Sequence, residues 1–285
     1  MNDDFSAIVD PDFDGRIIKD FLKKRLGFSS SLITKVKYGG VSVNARVVRM
    51  REVLHTGDVV TVRFPEEKSE KIEPIPYSLS VIYEDEDILA VNKPTNMPIH
   101  PSRGNHLVTL ANAVAYYFNS SFVFRAIGRL DRDTSGIVVI AKNAYAATRL
   151  YSDMKNGEFE KHYLALLSRT PCERHGFIDA PIERESEGSI KRTVRADGKT
   201  AKTEYTVTGI LPDGRAWVDI RLYTGRTHQI RVHMAHVGAP LYNDFLYGES
   251  VCEGSYILHC SRLIFPHPRT REKIELYASL PTHNI

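Results

Sequence analysis

The sequence predicts an α+β protein in two parts: a small basic domain over residues 14–63, and a larger domain over residues 80–285 built on a mixed, largely antiparallel sheet. Three observations predict it. The larger part holds many strand-like runs with few regular strand–helix–strand alternations, which disfavours a doubly wound sheet. Positive charge is concentrated: Asp14 to Arg63 carries eleven Lys/Arg against four Asp/Glu, whereas Phe64 to Ile285 carries 27 of each sign. Between the two parts, residues 64–79 include the charged stretch Pro65 to Pro76, with three prolines and no apolar period, and read as a linker.

The elements follow in order. Ile17, Ile18, Phe21, Leu22 and Leu26 recur at helical spacing, with Lys19, Lys23, Lys24 and Arg25 interleaved. Ser29 to Ser31 offer an N-cap for a second short helix through Ile33 and Val36, carrying Lys35 and followed by Lys37, and Gly39-Gly40 ends it. Val41 and Val43 alternate with polar residues as a strand, Thr56-Gly57-Asp58 is a turn, and Val59 to Val62 is a closing strand. So few elements make a thin core, so this domain is expected to lean on another surface. In the larger part, Val81 to Tyr83 and Ile88 to Val91 read as strands joined by the turn Glu84 to Asp87. Helical spacing covers Leu107 to Phe118 and Ala144 to Met154; Ile137 to Ala141 reads as a buried strand, with further strands at Tyr163 to Leu167, Thr203 to Gly209 and Ala216 to Leu222.

Composition excludes several classes. The chain is 42% apolar and 26% charged, as ordinary globular proteins are. No apolar run approaches the ~20 residues of a membrane span. The acidic start, Met1 to Asp12, lacks the basic and apolar regions of a signal peptide. Cys172, Cys252 and Cys260 are odd in number and form no CxxC pair, so neither a disulfide framework nor a zinc site is expected. The expected location is cytoplasmic, and a monomer is the default. With no P-loop or GxGxxG run, no cofactor is implied. The net charge of +3 diagnoses nothing, but a basic module on a neutral body suits a polyanion such as a phosphate backbone.

The densest chemical signal is Gly128-Arg129-Leu130-Asp131-Arg132-Asp133-Thr134-Ser135-Gly136, set just before a buried strand. Charged residues packed there are costly unless they pair or work. The run RLDRDTSG resembles the signature of the RluA family of RNA pseudouridine synthases. Further segments agree in order: Tyr83 to Asp87 with Asn92-Lys93-Pro94 and His100-Pro101; Lys161-His162-Tyr163-Leu164-Ala165; and Thr224-Gly225-Arg226-Thr227-His228-Gln229-Ile230-Arg231-Val232-His233, followed by Gly238, Pro240 and Tyr247-Gly248. The resemblance spans most of residues 80–265. It departs at Gly128, where that family usually has His and the neighbouring RsuA-type synthases often have Gly. Residues 14–63 resemble the RNA-binding domain named for the fourth small-subunit ribosomal protein, through the basic helix, Gly39 to Asn44, and Gly57 to Val60.

The resemblance implies that Asp131 is the catalytic carboxylate, Tyr163 stacks on the target uracil, and Arg231 pairs with Asp131. Making pseudouridine means breaking the bond from ribose to the uracil ring nitrogen, turning the ring, and rejoining it through carbon 5. A carboxylate can attack the anomeric carbon, or support its positive character and deprotonate the sugar; both courses stay open. Asp131 must be ionised, which calls for a cation beside it. Tyrosine offers a flat face and a polar tip that could take the carbon-5 proton. Arg129 is expected to fill the gap left by a flipped nucleotide. Leu130, Ile230, His228 and Gln229 are expected at the base. Lys19, Lys23, Lys24, Arg25, Lys35 and Lys37 are expected on the RNA backbone. His228, His233 and His236 match no common metal pattern, and none is expected. The partner is RNA, with large-subunit ribosomal RNA favoured over transfer RNA. Two other readings compete: an RNA-binding or ribosome-assembly protein, which intact Asp131, Tyr163 and Arg231 disfavour, and a glycoside hydrolase using Asp131 and Asp133.

Overall fold

The computed structural model describes residues 4–64, 72–101, 108–119, 122–248 and 256–280. The N-terminal unit contains β1 (Asp4–Ile8), α1 (Ile18–Asp20), α2 (Ser30–Val36), β2 (Val41–Val43), β3 (Arg46–Val47) and β4 (Val59–Arg63). Its sheet runs β1-β4-β2-β3. The stripe of the first helix is buried at Ile18, Phe21, Leu22 and Leu26, but only one turn is α-helical. The chain then widens into a π turn, with the Leu26 N–H reaching the Phe21 carbonyl at 3.1 Å. Ser29 caps α2 by accepting from Leu32 N–H at 3.1 Å.

The expected start of this unit at residue 14 is corrected. Strand β1 pairs along all of β4, from Asp4 opposite Arg63 to Ile8 opposite Val59, and buries Phe5. It brings acid with it: Asp4 holds Arg63 at 3.2 Å and Asp10 holds Arg25 at 2.6 Å. Over residues 4–63 there are seven acidic residues against the same eleven basic ones, so the surplus shrinks from seven to four.

The body continues with β5 (Val81–Glu84), β6 (Ile88–Lys93), α3 (Leu110–Tyr117), β7 (Ala126–Ile127), β8 (Ser135–Ala141), α4 (Ala144–Lys155), β9 (Glu160–Leu167) and β10 (His175–Asp179). A hairpin of β11 (Ile182–Arg184) and β12 (Arg192–Val194) follows, then β13 (Lys202–Ile210), β14 (Ala216–Leu222), α5 (Gln229–His236), β15 (Leu258–Pro266) and β16 (Lys273–Tyr277). Ten strands form one sheet in the order β10-β13-β14-β9-β15-β8-β6-β5, with β16 on β15 and β7 on β8. The pairings are antiparallel except β15 with β8, so the fold is the mixed, largely antiparallel α+β one expected. That parallel pairing needs glycine: Gly136 has φ 110°, and a Cβ there would collide with the Cys260 backbone.

The thin N-terminal core is completed by the body. Tyr145 of α4 stacks on Phe5 at 4.1 Å and lies 5.6 Å from Phe28, and Ala144 joins the same cluster. Gly27, at φ 71°, lies so close to Arg149 of α4 that a Cβ would strike its guanidinium. Of the expected linker, residues 65–71 lie outside the described residues. Glu73 and Ile75 are held against α3, where the Asn112 side chain donates to the Glu73 carbonyl at 2.7 Å. Thr109 and Asn112 form the capping box that starts α3; Leu107, the expected start, lies outside the described residues. No helix among the described residues is long and apolar enough to cross a membrane.

Candidate active site

Three pieces of chain surround a cavity of about 500 Å³: the loop between β7 and β8, strand β9, and the turn that leads into α5. Asp131 sits on the first, Tyr163 on the second, and His228 to Arg231 on the third, and all line the cavity with Arg129, Leu130 and Lys161.

The loop is pinned from below. Lys93, fully buried at the end of β6, donates to the carbonyls of Pro94, Met97 and Arg132 at 2.8, 2.9 and 3.0 Å. Thr95 Oγ1 donates to the Asp133 carbonyl at 2.9 Å. Burial pulls the Lys93 amine down to about 7, against the charges of Asp133 and Asp131. Arg132 forks onto the Asp133 carboxylate at 2.9 and 3.0 Å, so Asp133 supports the loop, and a two-carboxylate hydrolase loses its second acid. Among the described residues Asp131 has no such fork. Its side chain is about 21% exposed, and the cationic candidate among those residues within 4 Å is His228 Nε2, at 3.9 Å.

His228 stands in the left-handed region, φ 58°, at the N-cap of α5. The Tyr247 hydroxyl accepts from Arg192 N–H at 2.8 Å and can therefore donate to His228 Nδ1, also at 2.8 Å. That leaves the proton of a neutral ring on Nε2, facing Asp131. Burial lowers the His228 pKa, while Asp131 opposes the shift.

The expected partnership of Arg231 with Asp131 is corrected. The Arg231 guanidinium closes on Asp244 through two bonds of 2.7 Å, with both residues buried, and lies 4.4 Å over the Tyr256 ring and 4.9 Å over Tyr247. Asp244 also accepts from Leu246 N–H at 3.0 Å and Tyr247 N–H at 3.2 Å. Because 228 and 231 lie one helical turn apart, His228 stands at the carboxylate while Arg231 anchors the segment that holds His228 in place. Gln229 needs a second correction. Its amide accepts from Thr224 Oγ1 and Arg226 N–H, both at 2.9 Å, and donates to Lys202 O and Thr203 Oγ1, both at 3.0 Å. Its hydrogen-bonding capacity is spent on the turn, leaving none for a base.

Tyr163 is buried in the sheet, directly opposite Cys260 where β9 pairs with β15. Burial holds the phenol well above its ordinary pKa, with Cys260 and Asp131 adding to the shift, and pushes the thiol up to about 12. Ile230 and Leu130 are buried apolar wall, while Arg129 is exposed. Among the described residues no three metal-ligating side chains converge. His233 instead bonds Thr203 Oγ1 at 2.8 Å and the Ala180 carbonyl at 2.9 Å.

Residues 87–236 match the RNA pseudouridylate synthase family. The chain belongs to that family. The uncharacterized RNA pseudouridine synthase YjbO of Bacillus subtilis is 40% identical over 90% of this chain and 93% of its own length. The ribosomal large subunit pseudouridine synthase D of Xanthomonas campestris is 34% identical over 89% of this chain and 82% of its own. Among solved structures, human RNA pseudouridylate synthase domain containing 1 superposes with a TM-score of 0.62 at 29% identity, covering 75% of this chain and 87% of that one. The protein is a pseudouridine synthase of the RluA type.

Of the buried residues behind this synthase's cavity, sequence reasoning missed Asp244 and Tyr256, which hold Arg231, and Cys260, which faces Tyr163 across the sheet. Asp244 left one signal, a lone acid within the apolar and aromatic run Leu241 to Tyr247, where an unpaired charge is costly. Tyr256 and Cys260 left none, because their places depend on β15 lying between β8 and β9.

Proposed function

We propose that this synthase isomerises uridines of large-subunit ribosomal RNA, flipping the target nucleotide into the cavity and bringing Asp131 to its anomeric carbon. The observation that carries the reading is Asp131 itself, unforked and partly exposed in a cavity walled by Tyr163, Leu130 and Ile230. The apolar wall and the Tyr163 ring offer a flat uracil a face to stack on. Exposed Arg129 fills the gap that the nucleotide leaves, offsetting an unstacking cost of a few kcal/mol. Asp131 acts by covalent attack or by deprotonating the sugar, and the Tyr163 hydroxyl relays the proton released from carbon 5, taking it up as its own passes to water. Arg231 is a positioning residue in this scheme, acting through Asp244, Tyr247 and His228. The choice of ribosomal RNA rests on the names of relatives such as the Xanthomonas protein, together with the basic N-terminal unit, which we propose docks on RNA phosphates.

Mapping pseudouridines in total RNA from cells with and without the protein tests the substrate. Sites that vanish only from transfer RNA would overturn the ribosomal assignment. For the chemistry, Asp131→Asn should fold and bind RNA normally yet release no tritium from uridine labelled at carbon 5. Near-normal release would remove Asp131 from the reaction.

A further inference from the structure

Side chains alternate along β9, so Lys161 and Tyr163 project from the same face, and both line the cavity with Asp131. The Lys161 amine is held oddly for a cation. Its hydrogen-bond partner among the described residues is the Met154 thioether, at 3.4 Å, and no carboxylate of those residues lies within 4 Å. Sulfur of this kind is a weak acceptor, and a partly buried ammonium so partnered is costly unless another acceptor arrives. Gly128 keeps the approach open. A Cβ there would lie 3.8 Å from Lys161 Nζ and 3.6 Å from Met154 Sδ, so a side chain at 128 would cover the amine.

The reaction supplies such an acceptor. When the bond from the anomeric carbon to N1 breaks, both bonding electrons leave with the uracil, and the charge spreads over N1 and the two carbonyl oxygens. The sugar carbon, left electron-poor, faces Asp131. We propose that Lys161 is a further catalytic residue, donating a hydrogen bond to a carbonyl oxygen of the flipped uracil and stabilising the charge on the departing ring. Lys161 keeps its proton throughout. The electrons return to the new bond at carbon 5, the proton displaced there goes to the base, and N1, freed from the sugar, takes up a proton from water. A fixed cation aimed at charge that exists only after bond breaking favours the transition state over the bound substrate. The inference rests on the function proposed above.

The test uses the full chain and a large-subunit ribosomal RNA transcript labelled with tritium at carbon 5 of uridine, followed in single turnover. Lys161→Met should slow release by about 10²- to 10³-fold at saturating RNA. RNA affinity should stay unchanged, and the variant should melt no lower than wild type, because a weakly partnered charge has been removed. Lys161→Arg should recover part of the rate and hold it to higher pH. Burial lowers the lysine's pKa, whereas guanidinium stays charged. The groups around Lys161 are Cys260 and Tyr163 on the sheet, with Asp131, Lys155, Glu160 and Arg221 also at the cavity. A Met variant with the wild-type rate overturns the proposal. So does one whose lost rate accompanies a lower melting temperature or weaker RNA binding. Should the Met variant fail to fold, an Arg variant with the wild-type pH profile overturns it equally. Wild-type protein that releases no tritium fails the functional reading itself, and this proposal falls with it.

Discussion

Arg231 and Asp244 meet through two short bonds in a box of Tyr256, Tyr247 and Phe245 rings, almost wholly shielded from water. Arg231→Met would leave the Asp244 carboxylate buried without its cation, and unfolding in urea should show a loss of ~3–5 kcal/mol. Arg231→Lys should recover only part of it, since a point charge cannot reproduce the fork. Equal stability of the Met variant would show that the pair anchors nothing. Tyr163→Phe keeps the ring and removes only the hydroxyl, so stability should change by about 1 kcal/mol while single-turnover isomerisation slows strongly. Isomerisation at the wild-type rate would exclude the hydroxyl as the base. That Asp131, Tyr163 and Arg231 would meet at one cavity was legible, because each stands in a dense motif. The partner of Arg231 was not. Asp244 lies thirteen residues on in a segment without period, and only the fold decides which of two acids the guanidinium reaches.

Strand β6 ends on Lys93, whose amine ties the loop of Asp131, through the Arg132 carbonyl, to the carbonyls of Pro94 and Met97. Its pKa in the fold, about 7, lies below the ordinary lysine value of 10.5. Between those values the unfolded chain binds more protons than the folded one, so this group makes stability rise with pH across the window and disfavours folding below it. The stability of wild type relative to Lys93→Met should therefore increase from pH 7 to pH 10. A flat difference would show that the three carbonyls compensate for burial in full. Elements with a clear period were legible: α4, β13 and β14 lie within a residue or two of their expected bounds. Strand β1 was not, because Asp4–Ile8 reads as a polar terminus until β4 gives Phe5 a place to bury. Strand β15 was hidden as well. His259, Ser261 and Arg262 interrupt its apolar run, and His259 is buried only by bonding Ser135 at 2.9 Å and the Ala278 carbonyl at 3.0 Å.

For the molecule as a whole, the class of sheet could be read from the many strand-like runs, but the packing of the N-terminal sheet against α4 could not. Tyr145 has no sequence signal that its ring belongs to the N-terminal core. Deleting the N-terminal unit would bare that ring, so substitution tests its role more cleanly. Lys19, Lys23, Lys35 and Lys37 are exposed on it. Replacing all four by Gln should lower the salt dependence of RNA binding by roughly 0.7 to 0.9 in log–log slope for each phosphate no longer neutralised. The rate at saturating RNA should hold. Superimposable salt curves would leave the unit without an RNA-docking role. Helix α4 carries a consequence for target choice. Its first residues lie in the N-terminal core, and its last, Met154 and Lys155, line the cavity of Asp131. Twelve residues at 1.5 Å each make a stiff rod of roughly 18 Å. Under the docking proposed above, such a rod would act as a ruler: an RNA seated on the N-terminal unit would present to Asp131 only the uridine whose folded-RNA distance from the seat matches its length.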